Sequence, residues 1–190
     1  MENKIKLFVL SNSLTEHELD KVESKLGMDL GRQEKAPTKE QDYYAQFDAA
    51  FRLEAKEMSR HYEIFYCLEK SIRRLIVEIM KEHYSENWWD SRVKEEIRKN
   101  VDLNMKREAE SGFTERSELK IDYTTFGELS SIVQDNWDAF SNLFKNPKAF
   151  SKIMTSLNQL RGPIAHCCPL AEDEVVRLNL AVKDWFRLME

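Results

Sequence analysis

Ile64, Leu68, Ile72, Leu75 and Ile79 recur at intervals of three and four residues. That is the period of one face of an α-helix, and an apolar stripe of this length must be buried against a partner surface. Tyr44, Phe47 and Phe51 precede it at the same spacing, so a long helical block is expected from about Tyr43, with a break near Ser59 left open. Comparable stripes follow: Val93, Ile97, Val101 and Met105; Leu129, Ile132, Val133, Trp137 and Phe140; Phe150, Ile153, Met154, Leu157 and Leu160; Val175, Leu178, Val182, Trp185 and Met189. Helices that each carry one apolar face assemble as a bundle. Five glycines and four prolines in 190 residues, against 42% hydrophobic and 33% charged residues, favour helix over turn-rich structure. The expected fold class is all-α: an up-and-down helical bundle of four to five helices with a small N-terminal appendage.

Boundary signals divide these stripes. "SENWWDS" ends the first block, Asp90 or Ser91 would cap the next helix, and Gly112 would close it. "TFGE", Thr125 to Glu128, reads as a capping box. Asn146 reads as an N-cap, with Pro147 at the first helical position. Residues 1–40 read as a separate appendage and linker, ahead of a helical domain over 41–190. In the appendage, Ile5, Leu7 and Val9 alternate as in a short strand. "TEHE", Thr15 to Glu18, reads as another capping box, Leu19, Val22 and Leu26 follow at helical spacing, and Gly27 stands where a C-terminal cap belongs. The polar stretch around Pro37 reads as a linker.

The net charge of −5 argues against a general nucleic-acid binder, because duplex affinity comes from Lys and Arg neutralising phosphates. It leaves room for a local basic patch. The apolar run in "MENKIKLFVLSNS" is too short for a signal core or a membrane span, so a cytoplasmic protein without a membrane partner is expected. Cys67, Cys167 and Cys168 form no disulfide framework.

The stretch "QLRGPIAHCCPL", Gln159 to Leu170, gathers Arg161, Gly162-Pro163, His166 and two adjacent cysteines. A zinc site needs about four convergent ligands, and His166, Cys167 and Cys168 have no second pair to complete one; neither metal nor another cofactor is expected. A helix corner with a hydrogen-bonded histidine and two small apolar thiols is the structural reading. The chemical reading uses the same residues. Arg161 and His166 would stand about 140° apart on a straight helix; a break at Gly162-Pro163 would turn both toward one pocket. Imidazole can then move the proton of a ribose 2′-hydroxyl, and guanidinium can hold the phosphate. One histidine serves one end of that reaction, and a symmetric dimer would supply the other.

"LRGPIAH" in a helical bundle resembles the HEPN superfamily, whose signature is an Arg followed four to six residues later by His. "YEIFYCLEKSIRRLI", Tyr62 to Ile76, resembles the family's first helix, with Glu69 and Arg73 in its characteristic pattern. "NWWDSRV", "DYTTFGELSSIV" and "HCCPLAEDEV" are similar to later landmarks of the branch that includes the HEPN domain of Swt-type RNA endonucleases and its bacterial relatives. The resemblance spans Tyr43 to Met189. It implies an all-α homodimer around a composite cleft, and a metal-independent endoribonuclease that leaves a 2′,3′-cyclic phosphate, often a toxin or phage-defence effector. Arg161 and His166 are then the active pair, with Glu69 in support. Gly162 departs from the polar residue, commonly Asn, that usually follows the Arg. The alternative is a non-catalytic interaction domain, such as an antitoxin or a regulator of a partner protein.

Lys70, Arg73 and Arg74 share a helix face and read either as a substrate-binding phosphate strip or as solvated partners of Glu69 and Glu78. Trp88-Trp89 reads as base-stacking or, in preference, as a core corner. Glu172, Asp173 and Glu174 read as first-turn charges that suit the helix dipole. RNA is the expected partner, together with a second copy of the chain and a regulatory protein.

Overall fold

The computed structural model describes residues 12, 15–19, 21–22, 25–26 and, continuously, 44–190. The chain divides into two units, residues 1–48 and 49–190. In the first, Asn12 and Thr15 to Leu19 are helical, so Thr15 lies within a helix rather than at the cap expected from sequence. Tyr44 to Gln46 form a 3-10 turn. The alternation at Ile5, Leu7 and Val9, the Gly27 cap and the linker at Pro37 lie outside the described residues.

The second unit is a helical bundle, with no strand among its described residues. Its elements are α1 (Ala49–Tyr84), α2 (Trp88–Arg92), α3 (Glu95–Glu110), a 3-10 turn (Lys120–Tyr123), α4 (Phe126–Asp135), α5 (Trp137–Phe140), α6 (Pro147–Ala165) and α7 (Glu172–Arg187). α1 runs 36 residues without a break. At Ser59, where a break was open, the hydroxyl donates to Lys56 O at 2.8 Å while the helix continues. The buried line of α1 is Phe65, Leu68, Ile72, Ile76 and Met80, so the expected stripe is rotated: Ile64, Leu75 and Ile79 lie at its edge, half-buried.

Two boundaries differ from the sequence expectation. Asp90 and Ser91 do not cap α3; they lie within the short α2, and Lys94 precedes α3 with no side-chain cap. The stripe from Leu129 to Phe140 is two helices, because the chain leaves helical geometry at Asn136. That residue is buried, and its amide donates to Ile132 O at 2.8 Å and Arg92 O at 3.3 Å. A buried side-chain amide that serves two carbonyls holds the chain where a helix would otherwise continue. The other signals appear as read. Thr125 and Glu128 form a reciprocal capping box. Asn146 Oδ1 accepts from Lys148 and Ala149 N–H. Gly112 follows α3 with a φ of 75°, a conformation that costs glycine little. Trp88 and Trp89 are buried against each other at 5.4 Å in the core corner, which removes them as a base-stacking surface.

α6 is the central element and packs on α1, α4 and α7. Phe144 ties its start to the rest, with ring centroids 5.1 Å from Phe150 and 5.5 Å from Trp185. Aromatic pairs at such separations contribute beyond their buried area. The contact of α6 with α1 sets one against the other the two helices that carry the residues singled out above.

Candidate functional site

The end of α6 carries the Arg-to-His stretch, and it is straighter than expected. Gly162 and Pro163 do not break the helix; both lie inside it, and the last helical residue is Ala165. Proline's fixed φ is helical, and a missing N–H in the last turn leaves only the Gln159 carbonyl without its helical donor. The helix then closes with a Schellman-type turn. His166 is the C-cap, Cys167 takes a left-handed φ of 56°, and Cys168 N–H donates to Pro163 O at 2.9 Å. A cysteine thus holds the position usually given to glycine.

Because α6 stays helical through Pro163, the bend expected to turn Arg161 and His166 toward one pocket is absent. At helical pitch the two residues stand about 140° apart. Arg161 lines a cavity of about 200 Å³ between α1 and α6, and His166 lies outside it, exposed at the cap. The imidazole makes no hydrogen bond or ion pair with a described residue. The structural reading of His166 as a hydrogen-bonded core residue is thereby excluded.

Arg161 is held by Glu69. Its Nε donates to Glu69 Oε2 at 3.0 Å, and no described residue takes its two terminal nitrogens. Glu69 is largely buried, and its other oxygen accepts from Arg73 Nη2 at 2.5 Å. Arg73 is in turn anchored to the 3-10 turn: Nη1 donates to Ile121 O and to Thr124 Oγ1, the latter at 2.9 Å, and Nη2 donates to Thr124 O at 2.9 Å. The order is therefore 3-10 turn, Arg73, Glu69, Arg161. A buried ion pair is tolerated only when its remaining donors and acceptors are satisfied; both oxygens of Glu69 and both terminal nitrogens of Arg73 are engaged.

This geometry corrects the expected basic strip. Arg73 is buried, with both terminal nitrogens engaged by the protein, so it positions Glu69 and has no free face for substrate. Arg74 is exposed and pairs with Glu78 at 2.7 Å, a contact that raises its pKa through the hydrogen bond and the carboxylate charge. Lys70 is exposed at the cavity edge and lines it together with Arg161. Of the three expected contacts, Lys70 shares the Arg161 cavity with its amine unpaired, Arg74 stands one turn further along, and Arg73 belongs to the scaffold.

Sequence reasoning missed two pairs. Ile121 and Thr124 fix Arg73 from about fifty positions away, and only Thr124 lies in the landmark stretch "DYTTFGELSSIV". Tyr62 and Tyr66 line the same cavity; their signal was an i, i+4 aromatic pair lying off the core stripe. Cys167 and Cys168 are exposed free thiols rather than the small core residues expected at a helix corner, and Cys67 is an exposed free thiol as well. Among the described residues no group of three or more His, Cys, Asp or Glu side chains converges as a metal site. No helix among them is long and apolar enough to cross a membrane.

The fold and site define an all-α bundle domain with a shared-carboxylate arginine pair where its first long helix crosses its central one. Residues 63–190 match the family model of the Swt1-like HEPN domains, and the chain belongs to that family. No curated protein and no solved structure matches the chain significantly.

Proposed function

We propose that the protein is a metal-independent endoribonuclease acting as a symmetric dimer, in the role of a toxin or phage-defence effector. The observation that carries this reading is Arg161: its Nε is fixed by Glu69, its side chain lines the cavity between α1 and α6, and no described residue takes its terminal nitrogens. A guanidinium so oriented suits bidentate contact with a phosphodiester and the charge that grows on it during transfer. His166, exposed and without a partner among the described residues, supplies the imidazole that moves the proton. It takes the proton from the ribose 2′-hydroxyl as the 2′-oxygen bonds to phosphorus. The bond from phosphorus to the 5′-oxygen breaks, and that oxygen receives a proton from the same histidine of a second copy. The products are a 2′,3′-cyclic phosphate and a 5′-hydroxyl.

One histidine serves one end of this reaction, so the reading requires a second copy for the other. The position of His166 outside the Arg161 cavity favours the alternative, a non-catalytic domain that binds a partner protein. Expression in a bacterial host separates the two. Growth arrest by the wild-type chain, relieved by His166→Ala at equal protein level, supports the nuclease; arrest that persists in His166→Ala, or no arrest at any level, favours the interaction domain. Light scattering of the purified protein should give twice the chain mass.

A further inference from the structure

We propose that Tyr62 and Tyr66 form a nucleobase-stacking platform beside the Arg161 phosphate position, with a single RNA strand running along α1 from Tyr62 past Lys70 toward Arg74. The proposal rests on the RNA reading above and adds a subsite to it.

Tyr62, Tyr66, Glu69 and Arg73 stand at i, i+4, i+7 and i+11, an arc of about 60° on one side of α1. The arc adjoins the buried line, yet its two halves differ. Arg73 is buried and Glu69 nearly so, whereas Tyr62 and Tyr66 are 58% and 55% exposed. Neither tyrosine hydroxyl has a hydrogen-bond partner among the described residues. The rings lie 6.0 Å apart at an interplanar angle of 37°, so they present neighbouring, similarly inclined faces. They open onto the cavity that Arg161 and Lys70 line, whose apolar wall includes Phe65 and Ile164.

Two exposed aromatic faces beside two cations are the elements from which single-stranded nucleic-acid grooves are built. Bases stack on the rings, and the charged side chains follow the backbone. The charge distribution gives the direction. Lys70 lines both the Arg161 cavity and the adjoining groove, where Arg74 and Leu119 stand with the carboxylates of Glu78 and Asp122. Arg74 is exposed and its pairing with Glu78 is a surface contact, which a phosphate can displace at little cost. Arg73 borders both spaces but is saturated by Glu69, Ile121 and Thr124, so the usable cations are Arg161, Lys70 and Arg74. Stacking reads the flat face common to all bases, so this subsite selects unpaired strands over duplex and discriminates weakly among bases.

The test measures binding of a fluorescent 2′-O-methyl oligoribonucleotide, which resists cleavage by 2′-hydroxyl attack, to the purified 190-residue chain. Tyr62→Leu and Tyr66→Leu should each weaken binding about fivefold or more, the range expected for loss of one base–aromatic stack. Tyr62→Phe and Tyr66→Phe should stay within about twofold of wild type, since the ring is kept. Replacing one nucleotide by an abasic unit should weaken wild type and add little in the Leu variants. Binding unchanged in both Leu variants but weakened by Arg161→Ala overturns the platform and leaves the RNA reading standing. Loss of binding accompanied by a fall in molecular mass overturns it too, and assigns the tyrosines to the contact between copies. No binding of any RNA by wild type overturns the platform and the RNA reading together.

Discussion

Arg161 Nε donates to Glu69 Oε2 at 3.0 Å, a contact between residues 92 positions apart in the chain. It ends a relay in which the 3-10 turn fixes Arg73, Arg73 fixes one oxygen of Glu69, and the other oxygen aims Arg161. Removing Glu69 therefore has a different expected result from removing either arginine. Glu69→Gln keeps the shape but turns a carboxylate into an amide that can accept at only one atom. RNA cleavage should fall by about tenfold or more as Arg161 loses its orientation, with the fold retained by circular dichroism; the range is that of losing one charge-assisted hydrogen bond.

Arg73→Ala should act on stability first. It leaves one oxygen of Glu69 and the carbonyl of Thr124 without their donor, and breaking a buried pair in this way costs about 3–5 kcal/mol. Arg73→Lys should recover only part of that, because one ammonium cannot reproduce a fork that reaches three residues. Lys70→Ala is the contrast: stability unchanged within about 0.5 kcal/mol, RNA binding weaker and less salt-dependent. Urea unfolding of the three variants checks the order.

How much of this was legible follows from the range of each interaction. The stripes, the Thr125 capping box and the Asn146 cap are encoded within four residues of themselves, and the sequence shows them. Asn136 looks like an ordinary polar residue because the Arg92 carbonyl that helps hold it is 44 positions away. The pairing of Glu69 with Arg73 is local and visible as i, i+4. The burial of Arg73 depends on Ile121 and Thr124 and is not visible locally, so the arginine reads as exposed. Gly162-Pro163 reads as a break because those residues usually end helices; here the four turns capped by Asn146 and anchored at Phe150, Met154, Leu157 and Leu160 carry the helix two residues beyond the proline.

Gly162 gives a clean test of that last point. It lies in the helix without a positive φ, and a Cβ added there meets nothing within 4 Å. Gly162→Ala should raise stability by about 0.5–1 kcal/mol, the usual difference between the two residues inside a helix. If α6 instead broke at this position, the substitution would be neutral or destabilising. Thermal unfolding of the single variant decides it. Gly162→Asn, which restores the residue common in the family, should fold normally and cleave RNA at least as fast as wild type.

The tether between α1 and α5 sets a pH dependence. Tyr84 Oη donates to Asp138 Oδ2 at 2.6 Å. Partial burial, then the bond to Asp138, pushes the tyrosine pKa up; the same bond holds the aspartate pKa down. A lowered carboxylate stabilises the fold above the ordinary Asp value and loses that contribution as pH falls through the lowered one. A raised phenol stabilises below the ordinary Tyr value and loses its contribution as pH rises through the raised one. Tyr84→Phe should therefore flatten the acid limb of the stability profile, from the ordinary Asp range downward. An acid limb identical to wild type would mean that the contact does not persist in solution.

The most direct measurement is end-group analysis of mixed cellular RNA incubated with the purified protein and excess EDTA. Wild type should leave 2′,3′-cyclic phosphate and 5′-hydroxyl ends, spare DNA, and spare RNA carrying a 2′-O-methyl group at the cut site. His166→Ala and Arg161→Ala should each reduce those ends by about 10²-fold or more, as expected for loss of a general base or of a transition-state donor. Cleavage that stops with EDTA, ends that carry a 5′-phosphate, or ends that persist undiminished in His166→Ala would contradict cleavage by the substrate's own 2′-hydroxyl at this site.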